Sequence, residues 1–245
     1  MSTKKRKFWN IPPEEEQKGL LLWFQILQKH YLNLFYANAI GVLSLLPGAY
    51  FIYLLTQTGD LVFWVLGVIC LVLASPCQTG LHSVCVRLVH RMPVWVKADF
   101  ARAWKVEWKK SMALGLILCL LWSALAYGVY VVIAVDGGLS VAYLLMFSLV
   151  AYLLTGMTLF GFQQIAMLEL QIGTALKNAV LLIFAGKLRS VFAIVVCVAM
   201  PLVPIIYNGL GVLILLMGWA AIGVMTANVI FAPVFSRLFL TGADE

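Results

Sequence analysis

Charged residues are scarce in this sequence, and their scarcity excludes an ordinary soluble domain. Asp, Glu, Lys and Arg make up 11% of the 245 residues, whereas about 25% is typical of soluble chains. Apolar residues account for 63% of the chain. A chain with so few charges cannot cover itself with a water-soluble surface. The composition therefore predicts an integral membrane protein.

Catalytic and metal-binding motifs are also absent. No HExxH, GxSxG or GxxxxGK[ST] pattern occurs, so nothing indicates a metalloprotease, a serine hydrolase or a P-loop nucleotide hydrolase. The five cysteines lie in or beside apolar runs, and their odd number predicts no disulfide framework. Cys77, His82, Cys85 and His90 are close in sequence, but their spacing fits no zinc pattern. We expect no enzymatic activity, no cofactor and no metal site.

Six apolar runs are long enough to cross a bilayer, which requires about 20 residues each. They predict spans at about 31–55, 61–88, 112–135, 139–167, 189–207 and 209–235. Short turn-forming sequences join the first span to the second, the third to the fourth and the fifth to the sixth. The predicted fold class is therefore all-α, a single polytopic transmembrane helix bundle over residues 1–245 with six spans in three hairpins.

The distribution of charge predicts how these spans are oriented. All 17 Lys and Arg residues fall on one side of the six spans, and the other side carries only Asp60 and Asp136. Because basic residues mark the cytoplasmic side, both termini are expected there, as in a multi-pass protein of the cell membrane. Glu14–Glu16 follow the basic N-terminal residues and no cleavage site does, so a retained cytoplasmic tail is expected rather than a signal peptide.

Three segments on the basic side are too polar to span and too apolar for ordinary loops. Residues 13–30, 97–111 and 174–189 are each predicted to form an interfacial helix. Their basic side chains are expected to contact anionic lipid headgroups at the cytoplasmic face. The basic N-terminal residues are expected to do the same, so we predict no nucleic-acid partner.

An aromatic stripe makes the segment 97–111 a candidate binding surface. Phe100, Trp104 and Trp108 recur every four residues, which predicts one face of a helix. Lys105 and Lys109 flank this face. The stripe is predicted to face lipid, and docking of a cytoplasmic partner is the alternative.

Polar side chains within the spans form a second candidate site. No Asp, Glu, Lys or Arg lies in the middle of a span, which argues against a proton-coupled carrier. Gln78 and His82 lie one helical turn apart in the second span, and Gln163 and Gln164 lie in the fourth. We predict a hydrogen bond between Gln78 and Gln163 across helices. A cleft that binds a solute or a partner is the alternative.

Several short strings of residues resemble those of a known family. They are Ser75–Leu81 with Arg87, Ala98–Phe100, Trp108–Ser111, Leu176–Ala179 and Gly186–Arg189. Their order and spacing are similar to those of the YesL-like family of bacterial integral membrane proteins (domain of unknown function 624). Genes of that family typically neighbour those of carbohydrate importers and glycoside-degrading enzymes in Gram-positive bacteria.

The resemblance implies a function but supplies no catalytic residues. It implies a non-enzymatic accessory component of a bacterial carbohydrate (ABC-type) uptake system, with subunits of that transporter as partners. Two alternatives remain open. One is a stand-alone small-solute carrier that works through Gln78, His82 and Gln163, and the other is a membrane assembly or signalling partner.

Overall fold

The computed structural model of the protein describes residues 19–136, 138, 140–168, 170–206 and 218–239. These residues form eight α-helices and no β-strand, which confirms the predicted all-α class. The helices are α1 (Leu20–Thr58), α2 (Leu61–Val89), α3 (Val96–Lys105), α4 (Trp108–Asp136), α5 (Val141–Met167), α6 (Ile172–Ala185), α7 (Leu188–Ile206) and α8 (Ala220–Phe239).

Most of these helices are suited to a membrane. Helices α1, α2, α4, α5 and α8 are each long and apolar enough to cross one. Helices α6 and α7 meet at an angle of 110°, and together they meet the same criterion as a sixth, broken span. Five or six spans confirm the predicted multi-pass character. The span predicted over 209–235 is matched from Ala220 onward, because residues 207–217 lie outside the described part of the chain.

Turn-forming residues end α1 and begin α2 and α5. Gly59 has a φ of 71°, and its N–H closes the last turn of α1; glycine adopts this left-handed conformation at little cost. Asp60 Oδ1 then accepts a hydrogen bond of 3.0 Å from the N–H of Val62 and so caps α2. Ser140 caps α5 in the same way. We call this end of the bundle the turn end, and the opposite end, which carries α3 and α6, the basic end.

The helices predicted over 97–111 and 174–189 are each interrupted in the structure. Helix α3 ends at Lys105 before α4 begins at Trp108, and α6 ends at Ala185 before α7 begins at Leu188. Lys187, between α6 and α7, has a φ of 48°. The single-helix predictions are therefore wrong. They failed because the apolar residues keep their four-residue spacing across each break. That spacing alone does not show where the direction of the helix axis changes.

The structure matches the predicted boundary between an N-terminal helix and the first span more closely than it matches those two segments. His30 has non-helical angles (φ −126°, ψ 18°) and divides α1 into two helical segments. The second segment begins at Tyr31, where the first span was predicted to begin. The predicted segment 13–30 is described only from residue 19 onward.

Burial is concentrated toward the basic end. Residues 74–86 of α2 are buried apart from Gln78, and α8 packs against α1, α2 and α7. Toward the turn end, residues 119–135 of α4 and 141–153 of α5 include no buried side chain. Apolar surface exposed on this scale suits contact with lipid chains or another membrane helix. The well-packed basic end is therefore where side chains are most firmly positioned.

Candidate functional site

An ion pair joins the last turn of α2 to the first turn of α3. Arg87 Nε lies 3.1 Å from Asp99 Oδ1, and the Asp99 side chain is only 4% exposed. The hydroxyl of Ser83 donates to the same carboxylate oxygen at 3.4 Å. Burial raises the pKa of the Asp99 carboxyl, and the positive charge of Arg87 opposes that rise. A buried carboxylate needs such partners, so the pair fixes the start of α3 against α2.

The aromatic ring of Phe100, the residue after Asp99, packs against α2 at Gly80. A Cβ atom on Gly80 would lie only 2.7 Å from Cδ1 of Phe100, so only glycine leaves room for the ring. Phe100 is 6% exposed and belongs to the main apolar core. The prediction that Phe100 faces lipid or a partner is therefore wrong, because Gly80 provides a site for it in the protein interior.

Helix α2 is also held to α4 by small polar residues. Thr79 Oγ1 and Ser111 Oγ lie 2.7 Å apart in a buried hydrogen bond. Ser75 lies against Gly115, where any side chain would overlap the serine hydroxyl. Close approach of helices through small residues and hydroxyl bonds is a common way to pack helices in membranes. We call these four contacts of α2, to Asp99, Phe100, Ser111 and Gly115, the α2 junction.

The predicted polar cluster is divided by the structure. Gln78 Nε2 donates to the backbone oxygen of Gly41 in α1 at 2.9 Å, and no Gln78–Gln163 hydrogen bond occurs among the described residues. The predicted bond between those two glutamines is therefore wrong, because Gln78 points toward α1. Gln164 Nε2 donates instead to the Ala175 oxygen of α6 at 3.3 Å.

His82, Gln163 and Gln164 are buried, and each has a polar atom that forms no hydrogen bond among the described residues. The His82 ring stacks on Phe162 with ring centroids 5.9 Å apart, so α2 and α5 meet at this position. His82 Nδ1, Gln163 Oε1 and Gln164 Oε1 are buried and have no hydrogen-bond partner among the described residues. Unpaired buried polar atoms are costly, so these three atoms retain the capacity to bond a polar ligand group.

The exposed face of α3 and the start of α4 carry the remaining aromatic residues of the predicted stripe. Trp104 is 45% exposed and Trp108 40% exposed. The indole N–H of Trp104 donates to Cys77 Sγ at 3.3 Å, and Lys109 Nζ lies 5.5 Å from the centroid of the Trp108 ring. Lys105 is exposed as well. Trp104, Trp108, Lys105 and Lys109 thus remain a candidate binding surface, which we call the tryptophan surface.

Sequence reasoning missed two members of this exposed region and one buried pair. Trp95 is 73% exposed and Val106 56% exposed, although neither fits the four-residue period. Asp99 is the sole acidic residue between Arg87 and Lys105 in the sequence. That isolation among basic residues was a usable signal that its carboxylate pairs with one of them.

The cysteines and histidines do not converge. Cys85 Sγ donates to the backbone oxygen of Ala221 in α8 at 3.6 Å, whereas Cys77 contacts Trp104. Within the described residues, no group of three or more His, Cys, Asp or Glu side chains is placed to hold a metal ion. The two buried cysteines act as packing residues between helices.

One comparison with known proteins gives a match. A family model described as "Protein of unknown function, DUF624" matches residues 58–129. No curated protein and no solved structure matches the chain significantly. The family match confirms the resemblance to the YesL-like family over this part of the chain. It spans α2, α3 and most of α4, and it includes every residue of the α2 junction.

Proposed function

We propose that the protein is a non-enzymatic accessory component of a bacterial carbohydrate (ABC-type) uptake system in the cell membrane. The observation that carries the proposal is the tryptophan surface, which is formed by the end of α3, a helix that a buried ion pair holds in place, and by the start of α4. Trp side chains are enriched among the residues that anchor protein–protein contacts. The carbohydrate part of the proposal rests on the family resemblance alone.

The proposed orientation places both termini and the basic end in the cytoplasm. The basic residues of the described helices lie at that end, whereas the Gly59–Asp60 turn at the opposite end carries none. The positive-inside rule supports this orientation. In this arrangement the spans form three hairpins whose turns face the outside.

In the same arrangement α3, α6 and residues 20–29 lie at the cytoplasmic membrane surface. Helix α3 supports this placement because Asp99, Phe100 and Ala103 are buried while Trp104 and Lys105 are exposed. One face therefore contacts the bundle, and the other is available to headgroups or to a partner.

Labelling of single cysteines tests the orientation. In a variant without the five native cysteines, Thr58→Cys should react with an impermeant maleimide added outside the cell, and Lys105→Cys should react only after the membrane is opened. Reaction of Lys105→Cys from outside would show that the proposed orientation is inverted.

Purification of a tryptophan variant tests the docking role. Trp104→Leu/Trp108→Leu should still insert into the membrane but should lose the transporter subunits that co-purify with the natural protein. Trp108→Leu alone, which leaves the Trp104–Cys77 contact intact, should lose part of them. Trp122→Leu is a matched control, because Trp122 is 38% exposed but lies toward the turn end. Equal recovery of subunits with all variants would contradict docking, and normal sugar uptake in cells lacking the protein would contradict the role in uptake.

A stand-alone small-solute carrier is the second candidate. It is supported by the buried, unpaired polar atoms of His82 in α2 and Gln163 in α5. A carrier should lose transport with Gln163→Leu and keep it with Trp104→Leu/Trp108→Leu. The accessory role predicts the reverse, so the two variants distinguish the candidates. If the protein is instead a membrane assembly or signalling partner, the tryptophan variant should still lose its co-purifying proteins, but sugar uptake should be unchanged.

A further inference from the structure

We propose that a pocket between the α6–α7 corner and α8 binds the phosphate headgroup of an anionic phospholipid. The pocket has a volume of about 600 Å³. Its wall includes Lys187 and Arg189 from the corner, and Pro233 and Arg237 from α8. It lies at the basic end, away from the α2 junction and the tryptophan surface.

The positive charge of the pocket wall favours binding of an anion. Lys187, Arg189 and Arg237 all line it, and no acidic residue does. Neither Lys187 nor Arg189 forms an ion pair within the described part of the chain. Because like charges repel, placing Lys187 and Arg189 in the wall of one pocket is most favourable when a negative group lies near both of them. A phosphate is suited to several Lys and Arg donors at once.

An apolar stripe that starts at the pocket indicates that this phosphate belongs to a lipid. Leu188 lines the pocket and is 73% exposed, and Phe192, Val195 and Val198 follow on α7 with exposures of 61%, 52% and 39%. Their spacing places them on one face of the helix. A molecule with an anionic head in the pocket and acyl chains along this face would satisfy both features. A soluble phosphate would satisfy only the first.

The depth of the pocket agrees with this assignment. Helix α7 turns away from α6 by 110°, so with α6 at the membrane surface the pocket lies at the corner where α7 enters the membrane. A basic pocket between helices at the membrane surface is a recurrent site for anionic headgroups. The inference requires that α7 crosses the membrane, but it does not depend on the proposed role in carbohydrate uptake.

Lipid titration of the purified full chain tests the pocket. The protein in neutral detergent is titrated with dioleoyl phosphatidylglycerol, dioleoyl phosphatidylcholine or inorganic phosphate, and bound lipid is counted by native mass spectrometry. The test variant is Lys187→Asn/Arg189→Gln, since Asn tolerates the positive φ at position 187. The matched control, Lys97→Gln/Lys177→Gln, removes the same charge at two exposed positions of the basic end that belong neither to the pocket nor to the tryptophan surface. Lys187→Asn alone serves if the double variant fails to fold.

The expected result is selective retention of phosphatidylglycerol by the natural protein and the control. The pocket variant, which lacks two basic residues, should lose about 25-fold in apparent affinity, since each basic residue contributes roughly 5-fold. Phe192→Ser should also weaken lipid binding. Equal losses in pocket and control variants would indicate general surface attraction and overturn the site. Competition by inorganic phosphate at the same concentration as lipid would overturn the lipid assignment.

Discussion

The α2–α3–α4 unit and the α5–α6–α7 unit follow the same path with different chemistry. Each unit runs from a long helix through a short helix at the basic end into another long helix. In the first unit an ion pair and a buried hydroxyl pair hold the short helix and α4 to α2. In the second, the Gln164 amide and the Ser190 hydroxyl donate to backbone oxygens of α6, and no ion pair occurs among its described residues.

Both units use a glycine on the first helix to admit a side chain of the short helix. Gly80 faces the Phe100 ring, and Gly156 faces the Ile183 side chain. The comparison indicates that backbone space is the shared requirement of this path, while the charged pair is a particular feature of the first unit. The family match covers most of the first unit and none of the second.

Loss of the ion pair should produce the largest difference between the units. Arg87→Ala leaves the Asp99 carboxylate buried without its partner and should lower the free energy of unfolding by about 3 kcal/mol. Lys177→Ala removes an exposed cation from α6 and should change it by less than about 0.5 kcal/mol. Equilibrium unfolding in mixed micelles measures both. Similar losses for the two variants would show that the units are held alike.

Filling the two glycine positions should sharpen the comparison. Gly80→Ala should destabilise the protein by about 2–3 kcal/mol, because its methyl group meets a rigid aromatic ring. Gly156→Ala should cost a similar amount, because its methyl group would meet Ile183 and Ile194, which are both buried in the core. The same unfolding measurement tests both variants, and a cost below about 1 kcal/mol at either position would show that the surrounding side chains can shift.

The hydroxyl pair between α2 and α4 should have a smaller effect. Thr79→Val and Ser111→Ala each remove one side of the 2.7 Å hydrogen bond. A double-mutant cycle should give a coupling of about 0.6–1.7 kcal/mol, the range of such bonds in membrane proteins. A cycle between Thr79→Val and Ser190→Ala, which belong to different units, should show additive effects. Coupling in that second cycle would contradict the independence of the two units.

Among the losses expected from removing a contact, the smallest concerns Gln78. Gln78→Leu removes one bond to the Gly41 oxygen and should cost about 0.6 kcal/mol. Since the structure does not join Gln78 to Gln163, a cycle between Gln78→Leu and Gln163→Leu should be additive within error. A coupling above about 0.5 kcal/mol would restore the interaction that the sequence suggested.

The sequence predicted the helical class, the turn at Gly59–Asp60 and the extent of α2 because these depend on local composition. It did not reveal that α3 ends at Lys105, since no Pro or Gly occurs there and the apolar period continues. It also placed Phe100 on the outside, because a periodic stripe does not state which surface it meets. Phe100 points inward because there is space for its ring beside Gly80. This contact joins residues that are distant in sequence.

The central claim is that the Arg87–Asp99 pair holds α3 against α2, and a double-mutant cycle on this pair tests it most directly. The free energies of unfolding of Arg87→Ala, Asp99→Ala and the double variant are measured in bilayer-like bicelles. Our account predicts a coupling of about 1.5–3 kcal/mol, as for a hydrogen bond between charged groups. Additive effects of the two substitutions would contradict it.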